Sequence, residues 1–135
     1  MVNYKSERYD ELRDRTKAFG LRAIRLFQSL PLQADAQIIG KQLIRCATSV
    51  AANYRAACLA KSDRDLLNKL KICQEEADES TLWMEYLIEA NIVQTGKLEA
   101  LIDESRQLTA IMTASTLTII RRMRGAKHCS LIPNP

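Results

Sequence analysis

The sequence predicts an all-α fold, an antiparallel up-and-down four-helix bundle, on three observations. Apolar residues recur at steps of three and four through four long segments. Glycine and proline number only four and three, and aromatic residues make up 5% of the chain, so strand formers and chain breakers are both scarce. The hydrophobic share of 47% beside 27% charged is that of a folded chain, and 135 residues suffice for one core without staples. One domain is expected over residues 1–135, with no internal repeat and no low-complexity segment.

The first helix is placed at about residues 9–30, where Leu12, Phe19, Ala23, Leu26, Phe27 and Leu30 share a face and Pro31 closes the run. The polar residues 1–8 are expected to fray. Arg8, Arg15 and Arg22 fall seven apart with Arg25 three further on, so they share a face. A solvated stripe is the plain reading of that face. A contact surface for phosphate or carboxylate is the sharper one.

The second helix, about 36–59, follows Asp35 as a candidate N-cap. Its seam is Ile39, Leu43, Cys46 or Ala47, Val50, Tyr54 and Ala57, and beside it runs a polar row, Lys41, Arg45, Ser49 and Asn53. The small residues between Arg45 and Leu59 favour close approach by neighbouring helices, as do Gly20 and Gly40 inside predicted helices. An unpaired Arg45 at the edge of a core would be costly, so carboxylates of the third helix or of another subunit are expected to meet it. Asn53 needs partners for the same reason, and a satisfied structural network is the preferred reading of the whole row.

A third helix, about 63–90, starts after Ser62, which with Asp65 resembles a capping box. Leu66, Leu70, Cys73, Ala77, Ser80, Met84 and Leu87 alternate steps of four and three, the pattern of helices packed at about +20°. Its other faces carry Glu75, Glu76, Asp78, Glu79, Glu85 and Glu89 around Trp83 and Tyr86. After a loop at Asn91–Lys97, a fourth helix is placed at about 98–124, with Arg121, Arg122 and Arg124 complementing its dipole and Gly125 as its stop. Residues 125–135 read as a loose tail.

Several chemistries find no support. The single histidine, His128, falls in the predicted tail, so histidine-based nucleophilic catalysis is not expected. No Glu-x-x-His pair supports a di-iron bundle site, and the glycines form neither GxGxxG nor a P-loop. Cys46, Cys58 and Cys73 lie in apolar helical patterns and read as reduced core residues, while Cys129 is left undecided. No catalytic residue, metal or cofactor is expected. No signal segment or membrane span is read from the sequence, so a cytoplasmic location and no membrane partner are expected.

Charge is distributed unevenly. Residues 1–71 carry net +7, residues 72–120 net −7, and residues 121–135 four further cations, within an overall +4. Such asymmetry favours self-association of complementary faces or an anionic partner.

The residues from Arg45 to Ala57, with Ser49-Val50-Ala51-Ala52-Asn53-Tyr54 at their centre, then Leu67-Asn68-Lys69-Leu70-Lys71-Ile72 and Glu75-Glu76-Ala77-Asp78-Glu79, resemble the 23S rRNA-intervening-sequence proteins. The resemblance covers about residues 9–120. Many relatives carry Ala-Asn-Ile-Ala-Glu-Gly where this chain has Ala52-Asn53-Tyr54-Arg55-Ala56-Ala57, so the second helix is expected to run on here. The resemblance implies a homopentameric ring of up-and-down bundles without enzymatic activity. Similar bundles serve as accessory proteins of diversity-generating retroelements, which implies RNA, DNA or a reverse transcriptase as partner.

Taken together, the sequence points to a non-catalytic, self-associating scaffold that offers basic surface to nucleic acid or a ribonucleoprotein. Arg8, Arg15, Arg22, Arg25, Arg121, Arg122, Arg124 and Lys127 are the candidate nucleic-acid contacts. Arg45, Ser49, Asn53, Glu75, Glu76 and Glu79 form the candidate structural or inter-subunit network. The alternative is a protein-binding adaptor that uses the acidic face of the third helix.

Overall fold

The computed structural model describes residues 4–131, with side chains described for residues 7–127. Four helices follow one another, α1 (Tyr4–Gln28), α2 (Ala34–Cys58), α3 (Asp63–Glu89) and α4 (Thr95–Leu131), and there is no strand among the described residues. Neighbours run antiparallel. Gly20 of α1 lies against Ala47 and Thr48 of α2, Gly40 of α2 against Phe27 of α1 and Leu30 in the turn after it, and Arg122 near the end of α4 reaches Asp63 at the start of α3.

The ends show why the chain turns where it does. At α1 the last amides close i→i+3 bonds, Ser29 to Leu26 at 3.0 Å and Leu30 to Phe27 at 3.1 Å, before Pro31. Ser62 caps α3 as the sequence indicates, its hydroxyl accepting from the Asp65 amide at 3.1 Å. Asn91 ends α3 in the left-handed region (φ 58°). The amides of Asn91 and Ile92 then return to the carbonyls of Ile88 and Leu87, both at 2.9 Å, the double bond of a Schellman motif.

Four sequence expectations are corrected at the ends. Asp35 is not the cap of α2, because the helix already starts at Ala34; Gln33 occupies the cap position without a side-chain bond, and Asp35 bonds the Ala36 amide from inside the first turn. Gly125 does not stop α4. No glycine adopts positive φ, and one helical glycine costs only about 1 kcal/mol relative to alanine, too little to end a helix without a left-handed cap. The predicted tail is therefore helical through Leu131, with residues 132–135 outside the described part. Residues 4–8 are likewise helical rather than frayed, and α4 begins three residues earlier than expected, at Thr95.

The core forms two clusters along the bundle. Phe19, Leu43, Met84, Leu87, Leu98 and Leu108 belong to one, near the α1–α2 and α3–α4 turns. Leu12, Tyr54, Leu70, Cys73, Met112 and Ile119 belong to the other, near the α2–α3 turn. Buried hydroxyls return to carbonyls of their own helices, as Thr16 does to Leu12 at 2.8 Å. One pair crosses between helices: Thr81 of α3 and Ser105 of α4 are 2.7 Å apart in the interior, which fixes the register of that seam.

Candidate nucleic-acid interface

Antiparallel packing brings the start of α1, the end of α2, the start of α3 and the end of α4 to one end of the bundle. Each brings cations. Arg8, Arg55, Lys61, Arg64, Arg121, Arg122, Arg124 and Lys127 are all exposed there. Arg122 is engaged by Asp63, at 2.5 Å and 3.2 Å, whereas Arg121 and Arg124 have no ion pair among the described residues. Clustered cations of one sign raise the local potential, which is what an anionic polymer reads first.

α4 extends this end. It spans 37 residues against 25 to 27 for the others, and since Arg122 meets the first residue of α3, residues 123–131 run about 13 Å past that start. Leu67, Ile120, Met123, Arg124 and Lys127 enclose a small cleft of about 180 Å³ at the junction. His128 and Cys129 fall in this last stretch, with side chains outside the described residues.

The other arginines singled out from the sequence are placed differently. Arg22 and Arg25 are exposed in the second half of α1, away from the cationic end. Arg15 is half-buried and committed to α4: Nε and Nη2 donate to Glu104 at 3.1 Å and 2.6 Å, and Nη2 also donates to Gln107 at 2.7 Å. Arg15 thus ties α1 to α4. Arg55, Lys61 and Arg64 were missed by the sequence reading, because only the antiparallel topology brings those three to Arg121 and Arg124.

Of the polar row of α2, Arg45 meets α3. Arg45 donates to Glu79 at 2.9 Å and to Glu76 at 3.4 Å, and its Nε donates to Gln42 at 3.0 Å. Glu75 points outward instead, exposed to solvent. Asn53 finds its partners on its own helix, donating to the carbonyl and the hydroxyl of Ser49 at 2.9 Å each.

Cys46, Glu76 and Glu79 bring three potential ligand atoms within 4.8 Å of one another. A sulfur and two carboxylate oxygens suit zinc, yet the Arg45 guanidinium already supplies the positive charge between those carboxylates. Burial, then Glu79, push the Cys46 thiol up to about 12, so it stays protonated near neutrality. Cys58 and Cys73 are also free thiols, and burial raises Cys73 to about 12 as well.

A model of the 23S rRNA-intervening sequence protein family matches residues 10–114. The chain belongs to that family. A solved structure agrees: a protein of unknown function from the S23 ribosomal protein family of Bacteroides thetaiotaomicron is similar with a TM-score of 0.74 at 28% identity, over 80% of this chain and 96% of that one. No curated protein matches the chain. The matched family region holds Arg45, Glu76 and Glu79 but ends before Arg121, so the cationic turns of α4 lie beyond it. Ala56 and Ala57 continue α2 to Cys58.

Proposed function

We propose that this member of the family is a non-catalytic, self-associating scaffold whose cationic end holds nucleic acid. The observation that carries the reading is the convergence of cations from all four helices at one end, with Arg121 and Arg124 unpaired among the described residues. Phosphate recognition needs only such a set of exposed guanidinium and ammonium groups, and it supplies most of the affinity in sequence-independent binding. A ring of five copies, implied by the family resemblance, would multiply these ends on one particle and raise avidity without new contacts.

The test uses Arg55→Glu with Arg64→Glu, two exposed sites outside the hydrogen-bond networks. Fluorescence anisotropy with a labelled RNA hairpin and a labelled single strand is expected to show affinity lower by at least about tenfold for both probes. Affinity equal to that of the parent chain would overturn the reading.

A second reading rests on the outward face of α3. Leu82 and Tyr86 are 43% and 47% exposed one turn apart, between the exposed acids Asp78 and Glu89, and the rings of Trp83 and Tyr86 lie side by side with centroids 5.8 Å apart. The two rings are tilted by 43° rather than stacked face to face. Aromatic and aliphatic groups inside an acidic frame suit a basic helix of a partner protein. Partner capture that survives nuclease and is lost on Tyr86→Ala would favour this adaptor reading over the first.

A further inference from the structure

The small cleft at the cationic end has an apolar floor that phosphate binding alone leaves unused. Leu67 of α3 and Ile120 and Met123 of α4 form it, each half-buried, and the exposed Arg124 and Lys127 complete the lining. No acidic side chain is among the lining residues. Leu67 and Met123 also pack on the second core cluster, which holds the floor in place. The volume of about 180 Å³ is that of about six waters in the liquid. It gives room for one small planar ring, and falls short of the roughly 300 Å³ at which pockets for drug-sized ligands begin.

Cations bracket this floor on both helices. On α3, Arg64 lies three residues before Leu67 and Lys71 four after it, on the same helix face and about 10 Å apart along the axis. On α4, Arg124 follows Ile120 by four residues and Lys127 follows Met123 by four. All four cations are exposed, and Arg64, Lys71 and Arg124 have no ion pair among the described residues. A purely apolar ligand would leave those charges unanswered, and a bare phosphate would leave the floor empty. A nucleotide with its base free of a stack answers both.

We propose that the cleft takes one unstacked base of a single strand, whose flanking phosphates rest on Arg64, Lys71 and Arg124. This rests on the reading that the cationic end holds nucleic acid, and it names the class of nucleic acid held there. A base is an aromatic ring, and the polarizable thioether of Met123 makes favourable contacts with such rings. Leu67 and Ile120 add the apolar surface against which an extruded base packs. The floor offers no strong donor or acceptor to a base edge, so binding is tolerant of sequence. A duplex keeps its bases inside and presents only its phosphates to this end.

Fluorescence anisotropy of the full chain at fixed low salt tests this with two labelled probes of equal phosphate number, an oligothymidylate strand and an abasic deoxyribose-phosphate strand. The parent is expected to bind the strand that carries bases at least about fivefold more tightly. Ile120→Gln changes no charge and lies outside both core clusters. It is expected to weaken oligothymidylate binding by at least about threefold while leaving the abasic strand within about 1.5-fold of the parent. The comparison of probes on the parent needs no variant, so it decides even where Ile120→Gln fails to fold. Equal affinity of the parent for both probes overturns the base cleft, leaving the floor to an apolar side chain of a protein partner, while phosphate binding stands. A preference for bases that Ile120→Gln leaves intact, or an equal loss on both probes, overturns it as well. Binding of neither probe overturns this inference and the proposed function together.

Discussion

Arg45 of α2 and Glu79 of α3 are joined at 2.9 Å beside the buried thiol of Cys46, an ion pair that ties the α2–α3 seam and holds the Glu79 carboxylate charged. Burial pushes the Glu79 carboxyl up, but bonding to Cys46 and Arg45, the Arg45 charge and the nearby Trp83 indole outweigh it and hold the group below its ordinary range. Trp83 Nε1 itself is buried without a partner in hydrogen-bond geometry.

A depressed carboxylate contributes stability above its unfolded pKa and loses it as pH falls through the folded value. Glu79→Gln is therefore expected to be less stable than the parent at neutral pH and to converge with it as the pH falls below the ordinary carboxylate range. The Arg45 side chain is half exposed and that of Glu79 about a third, so solvent screens the pair and the difference at neutral pH should be only about 0.5 kcal/mol. Urea unfolding across that pH range reads it directly, and a gap that widens on acidification would contradict the account.

Tyr54 offers an opposite sign. Its ring is 3% exposed in the second core cluster, and its hydroxyl is buried without a hydrogen-bond partner. An unpaired buried hydroxyl costs stability that its removal recovers, so Tyr54→Phe is expected to raise stability by about 1 kcal/mol. Thermal unfolding of the two proteins checks this, and a clearly lowered midpoint would show that the hydroxyl has a partner.

The two helical glycines separate into unlike cases. At Gly20 a Cβ would sit 3.4 Å from the Thr48 Cα, an ordinary contact, so Gly20→Ala should gain up to about 1 kcal/mol from helix propensity. At Gly40 the same atom would come within 2.6 Å of both Leu30 Cδ1 and the Phe27 ring, which must shift together. Gly40→Ala should therefore lose about 1 kcal/mol net. Denaturant midpoints that move in the same direction for both would contradict this packing.

Periodicity made the helices legible because each buries one continuous stripe, and the heptad of α3 from Leu66 to Leu87 lies against its neighbours as its spacing requires. Ends were harder. Asp35 and Gly125 are both residue types that favour termini, but a cap acts only where the backbone leaves the helix, and at those two positions it does not. Long-range pairs split by distance along the chain and by expectation. Arg45 sits beside an apolar seam, so a carboxylate of α3 or of another subunit was expected and α3 supplies it, whereas nothing near Arg15 in sequence points to Glu104. The cationic end was legible only as an excess of charge, since its members are scattered from Arg8 to Lys127 and only topology collects them.

The salt dependence of RNA binding tests the central claim most directly. If the cationic end holds phosphates through several arginines and lysines, the logarithm of the affinity should fall linearly with the logarithm of salt concentration, with a slope of about −3 to −6, and the Arg55→Glu with Arg64→Glu protein should show a slope shallower by about two. A slope near zero in the parent chain, or one that the two substitutions leave unchanged, would contradict a phosphate-holding role for this end of the bundle.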